Sequence, residues 1–166
     1  MRYCVFETRK GFVALLEEHG RLRRSVLPRR SREEAVEAIR AGLGEPAVED
    51  IAAFGDLPDK LGHYFDEARV DFSSVPVDFS GYGAFHAAAL RAAQQIPYGE
   101  IVSYRDLARM AGREKAARAA GSAMANNATP IVVPCHRVVA SGGGLGGFSS
   151  GLDWKRELLS IEGVRL

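Results

Sequence analysis

Residues 98–137 read YGEIVSYRDLARMAGREKAARAAGSAMANNATPIVVPCHR, and this stretch shapes the carboxy-terminal half of the chain. Ser103, followed three residues later by Asp106, is typical of a capped helix start, and Gly112 is typical of a helix end. A further helix is predicted over 114–126. Two short helices joined by a glycine-containing turn indicate a helix-turn-helix, although a plain helical hairpin has the same outline.

The segments on either side extend this half into a mostly helical domain. Ser80 is predicted to cap a preceding helix whose buried face consists of Phe85, Ala89, Ala92, Ala93 and Ile96. A short apolar run, residues 131–133, ends at Pro134, and a glycine-rich loop follows over 141–151. The last helix is predicted over 152–161, with an apolar set of Leu152, Leu158, Leu159 and Ile161 to bury.

The amino-terminal half predicts a small antiparallel β-sheet with helices. Three extended segments are predicted, over residues 2–8, 12–17 and 22–27. Two helices follow, over 32–42 and 57–67, the first opened by a capping box of Ser31 and Glu34. Because residues 68–81 are poor in helix formers, the boundary falls there, and the fold class is α/β of the α+β kind with domains 1–78 and 79–166.

Composition places the chain among ordinary globular proteins. With 46% hydrophobic and 26% charged residues in 166, the disordered, collagen-like and coiled-coil classes are excluded. No window is apolar enough to cross a membrane, and charges throughout the first twenty residues argue against a secretory signal. Two distant cysteines make no disulfide framework, which suits a reducing, cytoplasmic setting.

The net charge of +1 conceals a local basic patch. Residues 102–120 contain five basic side chains against two acidic ones. A basic patch in a neutral protein favours a polyanion partner, while the competing interpretation is a solvated helix face.

Cys135 is the candidate nucleophile. It follows the rigid Pro134 and precedes His136 and Arg137, whose imidazole and guanidinium groups are of the kind that lower a thiol pKa. In an extended segment Cys135 and His136 would point to opposite faces, so either the chain turns there or a water bridges them. The alternative is a buried, inert cysteine.

The helix over 114–126 is unusual for a reader of the major groove. It offers one long side chain, Arg118, among alanines and Gly121, whereas base reading uses several long polar side chains. Small residues suit close docking in the minor groove, with Arg118 as a wedge into the base stack. The alternative is an alanine-rich core helix whose arginine reaches solvent.

Four stretches together, IPYGEIVSYRDLA, RAAGSAMANN, PCHRV and the glycine-rich loop, resemble the O6-alkylguanine-DNA alkyltransferases, also called methylated-DNA–protein-cysteine methyltransferases. The resemblance covers about residues 80–163. It implies a helix-turn-helix domain with a short β-ribbon at the active site. It also implies repair of O6-alkylguanine, and of O4-methylthymine, in double-stranded DNA by single-turnover transfer of the alkyl group to the protein's own cysteine.

The resemblance assigns the catalytic roles. Cys135 matches the alkyl acceptor, and His136 the general base that acts through a water. Glu162 matches the acid that orients this histidine. Asn127 matches the asparagine that holds the active-site turn, with Asn126 as the neighbouring alternative.

The resemblance also assigns the residues that meet DNA. Tyr104 matches a tyrosine beside the flipped base, where a phenol could stabilise the departing guanine. Arg118 matches the arginine that enters the vacated space in the base stack. Further expected DNA contacts are Arg105, Lys115, Gly121, Ser141 and the backbone amides of Ala116, Ala117 and Ala119.

The expected substrate pocket departs from the family at one position. It consists of Tyr104, Met124, Val138, Phe148 and Ser149. The family usually has tyrosine where this chain has Phe148, so the aromatic wall is kept and one hydroxyl contact is lost.

The resemblance implies a monomer that binds double-stranded DNA, works in the cytoplasm on the nucleoid, and needs no cofactor and no membrane. No zinc site is expected, because Cys4 has no second cysteine near it and is predicted to be a strand residue. A non-transferring damage sensor of the alkyltransferase-like type is the alternative function. Such sensors lack the acceptor cysteine, whereas Cys135 is present here.

Overall fold

The computed structural model describes residues 1–166, the whole chain. Its internal contacts divide the chain into two compact units. The first consists of Met1–Val70 with Val75–Asp78, and the second of Asp71–Ser74 with Phe79–Leu166.

The first unit is built on a four-stranded sheet. Its strands are β1 (Arg2–Thr8), β2 (Gly11–Glu18), β3 (Arg21–Arg29) and the two-residue β4 (Val48–Glu49). The sheet order is β3-β2-β1-β4. The first three strands pair antiparallel as predicted, and β4 adds a short parallel edge beside β1.

Helices pack on this sheet and close its core. They are α1 (Arg32–Arg40), a 3₁₀ turn (Ile51–Phe54) and α2 (Leu57–Phe65). The predicted cap of α1 is confirmed, because Ser31 Oγ accepts a hydrogen bond from the Glu34 amide at 3.2 Å. Cys4 is a fully buried strand residue, and burial raises the pKa of its thiol to about 12, which makes it unreactive.

The second unit is mostly helical, as the sequence predicts. Its helices are α3 (Ala84–Gln94), α4 (Tyr104–Met110), α5 (Ala117–Ala125) and α6 (Leu152–Ile161). A two-stranded parallel ribbon joins β5 (Val102–Ser103) to β6 (Val138–Val139).

Three details of this unit correct the sequence analysis. The helix expected after Ser80 begins at Ala84, and its N-cap is Gly83 and not Ser80. The helix predicted over 114–126 is shorter, because residues 113–116 form a turn in front of α5. Leu152, expected to be buried, is 40% exposed at the first position of α6.

The α4–α5 pair and the ribbon together position the site. Ser103 Oγ caps α4 by accepting from the Asp106 amide at 3.0 Å, as predicted. The same residue ends β5, whose pairing of Val102 with Val138 brings the start of α4 beside the segment that follows Cys135. Chemistry-bearing residues far apart in sequence therefore meet at one end of the ribbon.

The structure contains no helix long and apolar enough to cross a membrane. It also contains no group of three or more His, Cys, Asp or Glu side chains placed to hold a metal ion.

Candidate active site

Cys135 lies at the start of a tight turn. Residues Cys135–Arg137 form one 3₁₀ turn, in which the Arg137 amide donates to the Pro134 carbonyl at 2.9 Å. The chain thus turns at the cysteine instead of continuing as a strand. Cys135 is 4% exposed and His136 is fully buried, so both lie inside the protein.

Asn127 holds this turn and contacts the sulfur. Its side-chain Nδ2 donates to the Val133 carbonyl at 2.8 Å and lies 3.1 Å from Cys135 Sγ. Its Oδ1 accepts from the Thr129 amide at 3.0 Å, which fixes the orientation of the side-chain amide. The neighbouring Asn126 instead donates to Ser122 at the end of α5, so it is Asn127 that the structure brings to the thiol.

Burial raises the pKa of the Cys135 thiol, although the Asn127 hydrogen bond and the positive charge of Lys155 act in the opposite direction. From the sequence, Arg137 is expected to help lower this pKa. The guanidinium is instead bonded to Glu162, so that expectation is wrong. The resting thiol is therefore protonated, and a reaction at the sulfur needs a base.

His136, Glu162 and Arg137 form a buried charged cluster. His136 Nε2 lies 2.7 Å from Glu162 Oε1. Arg137 donates to both carboxylate oxygens at 2.9 Å, in a two-pronged ion pair. The Gly99 amide adds a further donor to Glu162 Oε2 at 3.1 Å.

This cluster fixes the charge on each group. Burial alone raises the pKa of Glu162, but the hydrogen bonds and charges of His136 and Arg137 outweigh it and hold the pKa at about 2. Burial lowers the pKa of His136, so its ring is neutral near pH 7. An ionised carboxylate only accepts, so His136 Nε2 carries the proton and Nδ1 has the lone pair that can act as a base.

Lys155 is a site residue that the sequence analysis missed. It is fully buried on α6, and its Nζ donates to the carbonyls of Val138 at 2.6 Å and Gly147 at 3.2 Å. Burial lowers the pKa of this amine to about 8. The available signal was position, because Lys155 lies three and four residues before Leu158 and Leu159 on the buried face of the helix.

Tyr104 contacts the glycine-rich loop at the Gly147 carbonyl, which also accepts from Lys155. Tyr104 Oη donates to the Gly147 carbonyl at 3.3 Å, and burial raises the pKa of this phenol, so it remains a donor. Gly146, with φ +70°, packs directly on the tyrosine ring. A Cβ added at Gly146 would lie 2.8 Å from Tyr104 Oη, so the loop can approach this closely only with glycine there.

The other expected pocket residues have different exposures. Met124 on α5 and Val138 on β6 are buried, Phe148 is half-buried and Ser149 is exposed. Gly121 also lies close to Tyr104, since a Cβ there would be 3.7 Å from its ring.

The expected DNA contacts lie on the surface of α4, α5 and the loop. Exposed side chains are Arg105, Lys115, Arg118 and Ser141. Arg118 occupies the second position of α5. One expectation needs correction: the Ala116 amide donates to the Arg113 carbonyl at 2.9 Å and is not available to a phosphate, which leaves the amides of Ala117 and Ala119 in the first turn.

Comparisons with known proteins agree on one family. A family model described as the DNA binding domain of 6-O-methylguanine DNA methyltransferase matches residues 84–164. A methylated-DNA–protein-cysteine methyltransferase of Methanopyrus kandleri is 41% identical over 129 residues, which are 78% of this chain and 95% of that protein. The human protein of the same name is 54% identical over 71 residues, 43% of this chain and 34% of the human one.

A solved structure extends the likeness to both units. The crystal structure of Mycobacterium tuberculosis OGT in complex with DNA matches with a TM-score of 0.79 at 30% sequence identity, covering 98% of this chain and 92% of that one. Identity at this level over most of the length, with the same fold, shows common descent. The chain belongs to the methylated-DNA–protein-cysteine methyltransferase family.

Proposed function

We propose that this protein repairs DNA by direct reversal, moving the alkyl group of O6-alkylguanine in double-stranded DNA irreversibly onto Cys135. The observation that carries the proposal is the buried thiol, held by Asn127 beside a neutral histidine that a carboxylate orients. Membership of the family supports the same reaction, since its named members are methylated-DNA–protein-cysteine methyltransferases.

The first step is removal of the thiol proton. Because burial keeps Cys135 protonated, the proton must leave as the sulfur attacks. His136 Nε2 is committed to Glu162, so we assign the proton to Nδ1 through a bridging water. Glu162 then stabilises the imidazolium, and Arg137 keeps Glu162 ionised throughout.

The second step is a single displacement at the alkyl carbon. A lone pair of Cys135 Sγ forms the new S–C bond, and the C–O6 bond breaks with its electron pair going to the guanine. The thioether that forms is a poor leaving group, so each protein molecule reacts once. Asn127 and Lys155 supply the stabilisation of the thiolate that a buried sulfur otherwise lacks.

Tyr104 acts on the departing base. The guanine leaves with negative charge spread over O6 and its ring nitrogens, and a phenol donor aimed at N3 stabilises that charge by a hydrogen bond. Its raised pKa keeps the phenol protonated for this role. Met124, Val138, Phe148 and Ser149 complete the pocket in this proposal.

The alkylated atom lies inside the duplex, so the base must leave the stack. We assign the exposed Arg118 to the space that the base vacates, while the small side chains of α5 let its backbone approach the minor groove. Arg105, Lys115, Ser141 and Gly121 then meet the strand. O4-methylthymine presents the same alkyl–oxygen bond and is a second substrate of the proposal.

Intact mass spectrometry tests the reaction and the acceptor together. Mixed with excess O6-methylguanine duplex, the protein should gain one methyl group, and peptide mapping should place it on Cys135. The Cys135→Ala variant should bind duplex and gain nothing, whereas the matched Cys4→Ala variant should react like the wild type. Lesion binding by the wild type without a mass gain would instead identify a non-transferring damage sensor.

A second experiment tests base flipping. Arg118→Ala should slow transfer from duplex by about a hundredfold, because unstacking a base costs a few kcal/mol that the wedge offsets, while the reaction with free O6-benzylguanine stays within about twofold. The exposed Arg156 on α6 provides the control substitution, Arg156→Ala, which should change neither rate. Equal losses on both substrates would remove Arg118 from this role.

A further inference from the structure

Tyr82 lies in the segment before α3, outside the four stretches of sequence that carry the family resemblance. Its hydroxyl donates to the Asn126 carbonyl at 3.0 Å. The same oxygen accepts from the Ala128 amide at 3.1 Å. One phenol thus bonds to two peptide groups that are close in sequence, although Tyr82 itself is more than forty residues away.

Those two peptide groups are the ones that flank Asn127. The Asn126 carbonyl belongs to the peptide entering Asn127, and the Ala128 amide to the peptide leaving it. Fixing both peptides fixes both backbone dihedrals of Asn127. These two peptides follow α5, whose last residue is Ala125. They therefore lie beyond the regular backbone hydrogen bonds of the helix interior. A hydroxyl can satisfy both because it is a donor and an acceptor at once.

The backbone of Asn127 determines where its side-chain amide lies. That amide makes two contacts, with the Val133 carbonyl at 2.8 Å and with Cys135 Sγ at 3.1 Å. A reactive group must be held within about 0.5 Å of its productive geometry. A rotation of the Asn127 backbone by a few tens of degrees would carry the amide out of reach of the sulfur.

We propose that Tyr82 is a positioning residue of the active site, which clamps the two peptides of Asn127 so that its side-chain amide stays on Cys135 Sγ. Tyr82 acts through Asn127 and does not touch the sulfur. The inference rests on the proposed function for its biological meaning, but the geometry that it describes belongs to the resting protein.

Tyr82→Phe removes the hydroxyl and keeps the ring, so it tests the clamp alone. Loss of a positioned donor to a developing thiolate should slow alkylation of Cys135 by O6-benzylguanine about tenfold. It should also move the thiolate absorbance titration of Cys135 to higher pH. Tyr3→Phe is the matched control, because the Tyr3 hydroxyl makes one weak bond, to Glu49 at 3.4 Å in the first unit; it should change neither readout.

A double-mutant cycle separates positioning from general support. In an Asn127→Ser background, which removes the amide that contacts sulfur, Tyr82→Phe should cause no further slowing or titration shift. Additive losses in the double variant, or a Tyr82→Phe variant that melts earlier but keeps the wild-type titration, would overturn the proposal. The thiolate titration uses no DNA, so its result does not depend on the repair reaction. A protein that failed to transfer methyl groups would refute the proposed function, and the titration would still test the role of Tyr82.

Discussion

Arg137 and Glu162 form a two-pronged ion pair in the interior, with both nitrogen–oxygen distances at 2.9 Å and the carboxylate side chain fully buried. The two residues lie 25 positions apart, in the turn after Cys135 and at the end of α6. Their pairing ties the last helix to the active-site turn and keeps the partner of His136 ionised.

Arg137→Met should destabilise the protein strongly. Removing one partner of a buried pair leaves an uncompensated charge, which costs about 3–5 kcal/mol. Urea unfolding measures this directly. The control is Arg109→Met, which breaks an exposed pair with Asp106 and should cost less than about 1 kcal/mol. Similar small losses in both variants would show that the interior pair is worth little.

Stability should fall on acidification in two stages. The pKa of His136 is lowered from 6.5, so the unfolded chain takes up a proton near that pH while the folded one does not, and stability declines below it. The pKa of Glu162 is lowered from 4.5 to about 2, so its contribution is complete above about 4.5 and is lost as the pH falls toward about 2. Urea midpoints between pH 7 and pH 3 measure both.

Glu162→Gln provides the control for the acid series. Without the carboxylate, the decline below pH 4.5 should become shallower. If the loss of stability below pH 4.5 were unchanged in this variant, it would come from other carboxylates.

Lys155→Met should slow alkylation of Cys135 about tenfold, because it removes a positive charge that favours the thiolate and a donor to two carbonyls. The thiol pKa should rise in the variant. Since the pKa of Lys155 is about 8, the difference from the wild type should shrink above that pH, where the amine loses its charge. Iodoacetamide reaction rates across pH 7–10 follow both effects.

Arg156→Met is the neighbouring substitution on the exposed face of α6 and should leave the rates unchanged. Slowing in both variants would point to damage to the helix instead of a loss of charge at the thiol.

Gly146→Ala should displace the glycine-rich loop, because the added methyl group would lie 2.8 Å from the Tyr104 ring and the φ of +70° strains any other residue. Reaction with O6-benzylguanine should fall about tenfold or more, since a 1 Å misplacement near the chemistry can cost about a hundredfold. Gly144→Ala, in the same loop with ordinary φ and 4.0 Å of clearance, should react normally. Equal rates in the two variants would exclude the contact with Tyr104 as the constraint.

Local signals predicted most of the fold. The Ser31 and Ser103 caps, the hairpin and the helix after the glycine-rich loop all depend on residues within a few positions of each other, and the structure contains them. Ser80 failed as a cap because capping is a property of the residue beside the first helical turn, and α3 begins later, after Gly83.

The site was less predictable where it depends on distant partners. Arg137 follows Cys135 closely in sequence, but its guanidinium pairs with Glu162. The two residues are too far apart in sequence for a local pattern to predict this ion pair. The sequence gives no sign of the role of Lys155, because the two carbonyls that accept from its ammonium group belong to Val138 and Gly147, outside its own helix. The resemblance favours Asn127 with Asn126 as the alternative, and the path of the chain after α5 distinguishes them.

The burial of Cys135 has a consequence for the molecule after it has reacted. Cys135 is 4% exposed, and adding carbon atoms to a well-packed interior costs about 1–3 kcal/mol. The spent protein should therefore melt several degrees below the fresh one, and more so for a benzyl than for a methyl adduct, as differential scanning fluorimetry would record. Alkylation of one sulfur atom would in this way lower the stability of the whole polypeptide.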